Sequence, residues 1–235
     1  MRLFRVVLIL LFVCISQIQA KVYLVSVGLA DYPGTVDDLR ISDNDAKTIA
    51  KVFEATNNAY TTTILNEGAT QGAVLRTMQT VFADAHTDDT VILYFSGHGS
   101  PGALACYDGS LAYQRIFNVL KNCKATKKII IADACYSGKM RTSRSQSNSY
   151  NSQSVLLFLS SRTNEISQET RYQNSLFTIY LDRGLRGGAD KNRDRTITAR
   201  ELFDFVHDGV SEKSGGKQHP VMWGKFDNNM AIINW

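Results

Sequence analysis

What the chain has little of narrows the reading first. Its 26 basic and 22 acidic residues leave a net charge of +4, and the basic residues are scattered, so nucleic acid is not an expected partner. No Cys-x-x-Cys or His-x-x-x-His spacing occurs, which leaves structural zinc without a ligand set. There is no internal repeat, and the composition excludes collagen, coiled coil and wholesale disorder. The longest apolar run, Val6 to Ile15, is too short to cross a bilayer.

That run is built as a leader. Arg2 and Arg5 precede it, a polar stretch follows, and Ala20 offers a small residue before a cut. Residues 1–20 are therefore expected to be a secretory signal, although Ile18 stands where a small residue is usual. Cys14 opens a lipoprotein alternative, to which Val13 is a poor fit. Losing Arg2 and Arg5 lowers the net charge to +2. The mature chain, 21–235, suits one well-buried domain. It is expected to be secreted or periplasmic, with no stable membrane insertion after signal removal.

Cysteines are few. The mature chain keeps Cys106, Cys123 and Cys135, and an odd number in a secreted protein leaves one thiol over. If Cys135 is that thiol, Cys106 and Cys123 are either a disulfide or two separate buried thiols.

What is present alternates strand with helix. Lys21 to Leu29 reads as a strand, and Pro33-Gly34 marks a turn. Ser42 or Asp43 is expected to cap a helix to about Ala55, with Ala46, Ile49, Ala50, Val52 and Phe53 on one face. Strand Thr61–Leu65, helix Thr70–Ala85 and strand Thr90–Phe95 follow. Ser100 to Gly109 is a loop or short hairpin, and Ser110 to Leu120 is expected to be helical. Later elements are strand Val155–Leu159, helices Leu176–Leu185 and Thr198–Val210, and a tail with short extended pieces from Gln218. This order predicts an α/β protein with a mostly parallel sheet and helices on both faces. Lys139 to Ser154 is Ser-rich and almost without apolar residues, so it is expected to be a mobile loop.

Two strands end in chemistry. Lys127 to Gly138 reads Lys-Lys-Ile-Ile-Ile-Ala-Asp-Ala-Cys-Tyr-Ser-Gly, a buried strand whose Asp133, Cys135 and Ser137 alternate. An extended segment turns all three to one face. Thr90 to Phe95 is followed by Ser96-Gly97-His98-Gly99, where glycines on either side leave the imidazole uncovered. A thiol needs such a base, because the thiolate is the nucleophile. Carboxyl ends of parallel strands are where open α/β sheets hold ligands. An α/β hydrolase using Cys is excluded, because its nucleophile would precede the His and sit in a Gly-x-Cys-x-Gly elbow.

Tyr-Phe-Ser-Gly-His-Gly and then Asp-Ala-Cys-Tyr-Ser-Gly resemble the His and Cys motifs of the caspase-like cysteine peptidases, closest to metacaspases and bacterial caspase-like peptidases. The resemblance runs from about Val22 to about Gly224. It implies a caspase-haemoglobinase-like three-layer sandwich around a six-stranded, mostly parallel sheet, with the Ser-rich loop 139–154 between a larger and a smaller portion. It implies Cys135 as nucleophile, His98 as general base and then acid, and the Gly99 and Cys135 amides as the oxyanion hole. No sequence-local acid is evident to orient His98. Carried over by position, the first pocket contains Ser42, Asp45, Ser96 and Asp133. Two carboxylates there favour a basic side chain, so cleavage after Arg or Lys is expected. Ser42 stands where the family often has Cys, and Ile41 where it often has Gly. Asp43 fits a helix N-terminus, where acids are favoured.

Lys139, Arg141 and Arg144 make the Ser-rich loop a candidate for self-cleavage. Asp190, Asn192, Asp194 and Glu201 are spaced as in a calcium loop over Asp190 to Glu201, but Arg195 occupies the Gly position, and Thr198 with Glu201 reads equally as a helix capping box. No acidic cluster supports the calcium site that some metacaspases carry after the His motif, and no cofactor is expected. Ser160, Ser161, Asn164, Glu165, Ser167 and Glu169 resemble the segment bordering the substrate groove, while Gln218, His219, Pro220, Trp223 and Gly224 resemble the family's closing stretch, where packing is the expected role. The functional expectation is a secreted cysteine endopeptidase acting on polypeptides. The rival is a catalytically silent caspase-like binding module.

Overall fold

The computed structural model describes residues 20–100, 102–134, 155–161 and 173–235. The chain forms β1 (Val22–Gly28), α1 (Ser42–Glu54), β2 (Ala59–Leu65), α2 (Gln71–Ala83) and β3 (Thr90–Ser96). Then come β4 (Gly99–Ser100), β5 (Ala103–Cys106), β6 (Gly109–Ala112), α3 (Tyr113–Asn122), β7 (Lys127–Asp133) and β8 (Val155–Leu159). The last part is α4 (Leu176–Arg183), β9 (Thr196–Thr198), α5 (Ala199–Lys213), β10 (Val221–Trp223) and β11 (Ala231–Asn234).

Six strands make the central sheet, in the order β10-β8-β7-β3-β1-β2. All its pairs are parallel except β10 with β8. The apolar runs within β3, β7 and β8 are buried because helices cover both faces. Alternation sorts their side chains. Val91, Leu93, Phe95, Ile130 and Ala132 join the core with α2 and α3. Ile92, Tyr94, Ile129 and Ile131 join the core with α1, α4 and α5. Continuing the period of two places Ser96 and Asp133 on the α1/α4 face.

Two expectations change at element ends. Ile41, not Ser42 or Asp43, holds the N-cap of α1, and no side chain caps it. Ser42 is already inside the first turn, and Asp43 pairs with Lys47 at 2.6 Å. Ser110 to Ala112 is extended rather than helical, because Gly109–Ala112 pairs antiparallel with Ala103–Cys106. The tail has the short extended pieces expected of it, and one of them, β10, completes the six-stranded sheet against β8. A side chain at Gly224, just after β10, would place its Cβ 2.0 Å from the Val155 carbonyl, so only glycine fits this close approach.

Cys106 and Cys123 are free thiols. Burial pushes the Cys106 thiol up to about 12, and Cys123 Sγ donates to the Phe82 carbonyl at 3.5 Å. No helix among the described residues is long and apolar enough to cross a membrane.

Candidate active site

Strands β3 and β7 run side by side, with Ser96 opposite Asp133. The two motifs therefore leave adjacent parallel strands at one level. His98 follows β3 by two residues, and Asp133 and Ala134 lead directly to Cys135 in sequence. Cys135 lies outside the described residues, as do 139–154, Asn164, Glu165, Ser167 and Glu169.

His98 is held from two sides. Its Nε2 lies 2.7 Å from the Asp37 carbonyl. A carbonyl only accepts, so Nε2 carries the proton and the neutral ring keeps its lone pair on Nδ1. The His98 amide donates to the Tyr32 hydroxyl at 2.8 Å, and that hydroxyl donates to the Ala105 carbonyl at 3.3 Å. The Tyr32 ring packs 5.0 Å from the imidazole. Tyr32 also dictates the glycine before the histidine, since a Cβ on Gly97 would fall 2.7 Å from its hydroxyl. Gly99 sits in β4 opposite Leu104. Ala105 N donates to His98 O at 3.0 Å, and the antiparallel alternation then turns the Gly99 N–H away from β5.

Three of the four expected pocket residues meet. Asp45, fully buried on α1, accepts from Ser96 Oγ, Asn174 Nδ2 and Ser175 N, each at 2.9 Å. Asp133 accepts from the hydroxyls of Ser175 and, at 3.3 Å, Thr178. Tyr94 joins the group through Thr178 Oγ1 at 2.6 Å. Burial first, and then the negative charge of Asp133, raise Asp45 to about 7, against its neutral hydrogen-bond donors. Ser42 is buried at the start of α1, but no hydrogen bond among the described residues joins it to this group. Ser160 and Ser161 are buried where β8 ends, and Gln218 Nε2 holds the Ser160 carbonyl at 2.9 Å.

The residues that sequence reasoning missed are Tyr32, Asp37, Tyr94, Asn174, Ser175 and Thr178. Ser175 had a local signal: a serine immediately before an apolar helix, and it does cap α4 by accepting Thr178 N at 3.0 Å.

The calcium-like loop is held by its own bonds. Asp190 accepts from the amides of Asp194 and Arg195, Asp194 accepts from Thr196 N, and Thr198 with Glu201 closes the capping box. Arg195 takes φ 65° at the position that favours glycine. No group of three or more His, Cys, Asp or Glu among the described residues is arranged to hold a metal ion. A cavity of about 490 Å³ lies at the opposite, amino end of the sheet, bordered by Val22, Thr90, Lys127 and Trp235, and no candidate site residue lines it.

A doubly wound sheet with a histidine and a carboxylate pair at its carboxyl edge defines an α/β architecture of three layers. The family model of the caspase domain matches residues 23–229. The chain belongs to that family, and its domain is that of a caspase-like peptidase. Solved structures share the fold, two of them as follows. Caspase-1 from Spodoptera frugiperda is 18% identical with a TM-score of 0.68, over 90% of this chain and 89% of that one. A protein from Geobacter sulfurreducens is 18% identical with a TM-score of 0.67, over 88% of this chain and 94% of that one. No curated protein matches the chain by sequence.

Proposed function

We propose that the chain is a secreted cysteine endopeptidase that cleaves after Arg or Lys. Cys135 is the nucleophile. His98 takes the thiol proton through Nδ1 and returns it to the leaving amine. The N–H groups of Gly99 and Cys135 receive the oxyanion. Water then hydrolyses the acyl-enzyme with His98 as base. Asp45 and Asp133 receive the basic side chain, and Ser96 orients Asp45.

One observation carries this reading. A strand register of Ser96 opposite Asp133 sets the strand end that leads to His98 level with the strand end that leads to Cys135, beside two buried carboxylates from α1 and β7. Burial makes the charged form of Asp45 costly, and an incoming guanidinium or ammonium offsets that cost.

The test is hydrolysis of fluorogenic peptides ending in Arg, Lys or Asp by the mature protein and by Cys135→Ala, with reductant. Arg and Lys turnover lost in the variant is expected. Turnover of the Asp peptide would sink the pocket assignment. Absence of turnover with every peptide, even after trypsin nicking of 139–154, would leave a catalytically silent binding module. Secretion is checked separately, by N-terminal sequencing of exported protein for a start at Lys21.

A further inference from the structure

Asp45 and Asp133 come from different elements, a helix and a strand, yet one residue reaches both. Ser175 donates its backbone N–H to Asp45 Oδ1 at 2.9 Å and its hydroxyl to Asp133 Oδ2. The same Oγ accepts from Thr178 N at 3.0 Å, which fixes its rotamer and aims its single proton at Asp133. Ser175 is buried, so water competes poorly for either bond. Asn174, its neighbour, ties Asp45 to Thr48 on α1 as well.

Left to themselves, two buried carboxylates move apart or one takes up a proton. A donor to each, on one rigid helix start, fixes their separation and orientation before any ligand arrives. Holding acceptors in place in advance lowers the ordering cost of binding. We propose that Ser175 is a specificity-positioning residue, which presents Asp45 and Asp133 as one preassembled acceptor for the basic side chain of the substrate. This rests on the reading of the pocket given above.

Serine is suited to the place. Its backbone serves Asp45, and its short side chain both caps α4 and reaches Asp133. Ser175→Gly keeps the N–H and places a residue well tolerated at a helix N-cap, while it deletes the hydroxyl. Ser175→Thr restores a hydroxyl.

The experiment measures kcat and KM on a peptide ending in Arg, and competitive inhibition by agmatine, which is the arginine side chain without the peptide. In Ser175→Gly, KM and the agmatine Ki are expected to rise about tenfold, the size of one hydrogen bond to a charged group, with kcat within about twofold of wild type. Ser175→Thr is expected to recover most of both. An unchanged Ki in Ser175→Gly overturns the proposal. So does a fall in kcat that follows a lowered melting temperature while Ki stays put, since that is helix capping alone. A wild-type protein that neither prefers Arg nor binds agmatine fails the pocket reading itself, and the proposal with it, before any variant is made.

Discussion

At the scale of single residues, the histidine is oriented by a carbonyl and a phenol. Asp37 O accepts from Nε2 at 2.7 Å, and Tyr32 Oη accepts the His98 amide at 2.8 Å. Tyr32→Phe leaves the His98 N–H and the Ala105 carbonyl without that partner. The expected cost is about 1–3 kcal/mol of stability, with kcat at least about tenfold lower and KM nearly unchanged. Thermal unfolding and steady-state kinetics read both, and wild-type kcat in this variant would remove Tyr32 from the site. Neither partner was legible in the sequence. A carbonyl has no residue signature, and Tyr32 lies far upstream of His98, in a loop that shows only its Pro33-Gly34 turn. Asp45 was legible, because its acid falls at the start of an amphipathic helix in a recognisable motif.

Asp45 also makes a prediction about pH. Its carboxyl titrates near 3.8 in a free chain and about 7 in the fold. Between those values the folded protein keeps a proton that the unfolded chain has lost. Its contribution to stability is therefore greatest below pH 4 and declines as pH rises towards 7. The groups that face it are Asp133 of β7 and Tyr94 of β3. Asp45→Asn is expected to flatten the fall in urea midpoint over that range. Cleavage after Arg moves the other way, because a cation needs the ionised carboxylate. Its kcat/KM should climb through about pH 7 in the wild type. A urea midpoint with the same pH slope in wild type and Asp45→Asn would count against this assignment.

At the scale of elements, the pocket depends on where α1 lies over the sheet. Gly28 ends β1 beneath the start of that helix. A Cβ there would fall 2.5 Å from Ser42 O and 2.7 Å from Ala46 Cβ. Backbone cannot yield as a side-chain tip does, so Gly28→Ala must shift α1 and Asp45 with it. A loss of about 1–3 kcal/mol is expected from such overpacking, with weaker agmatine binding. Calorimetry and inhibition kinetics check the two together, and a variant as stable as wild type would show that α1 is free to slide. The strands that lead to the candidate site were readable because β3 and β7, like β8 beside them, are buried on both faces and so carry apolar central runs, Val91 to Phe95 and Ile129 to Ala132. The stretch from Ser110 was misread because Tyr113, Ile116, Phe117 and Leu120 keep helical spacing, while pairing with β5 takes Ser110 to Ala112 into a strand. Ser175 was missed because its importance comes from two carboxylates over 40 and over 120 residues away in sequence.

At the scale of the whole molecule, β7 and β8 are parallel neighbours, so β7 ends at the carboxyl edge of the sheet and β8 begins at the amino edge. The segment that joins them contains Lys139, Arg141 and Arg144, and near its start in sequence stands Cys135, the proposed nucleophile. A chain covers at most about 3.5 Å per residue. Lys139 is separated from Cys135 by about 14 Å of chain, too little to leave the site, turn and re-enter it in the orientation of a substrate. Arg144 has about 30 Å, which permits a full turn. If the enzyme processes its own chain within one molecule, the cut is expected after Arg144 in preference to Lys139. The reaction would be first order, with a rate that does not depend on protein concentration. Intact-mass spectrometry of the stored wild-type protein over a hundredfold range of concentration reads site and order at once, with Cys135→Ala as the uncleaved control. A rate proportional to concentration would mean that one molecule cuts another, which frees Lys139 from the reach constraint. Equal intact masses for wild type and Cys135→Ala would exclude self-cleavage and leave the segment as a connection alone.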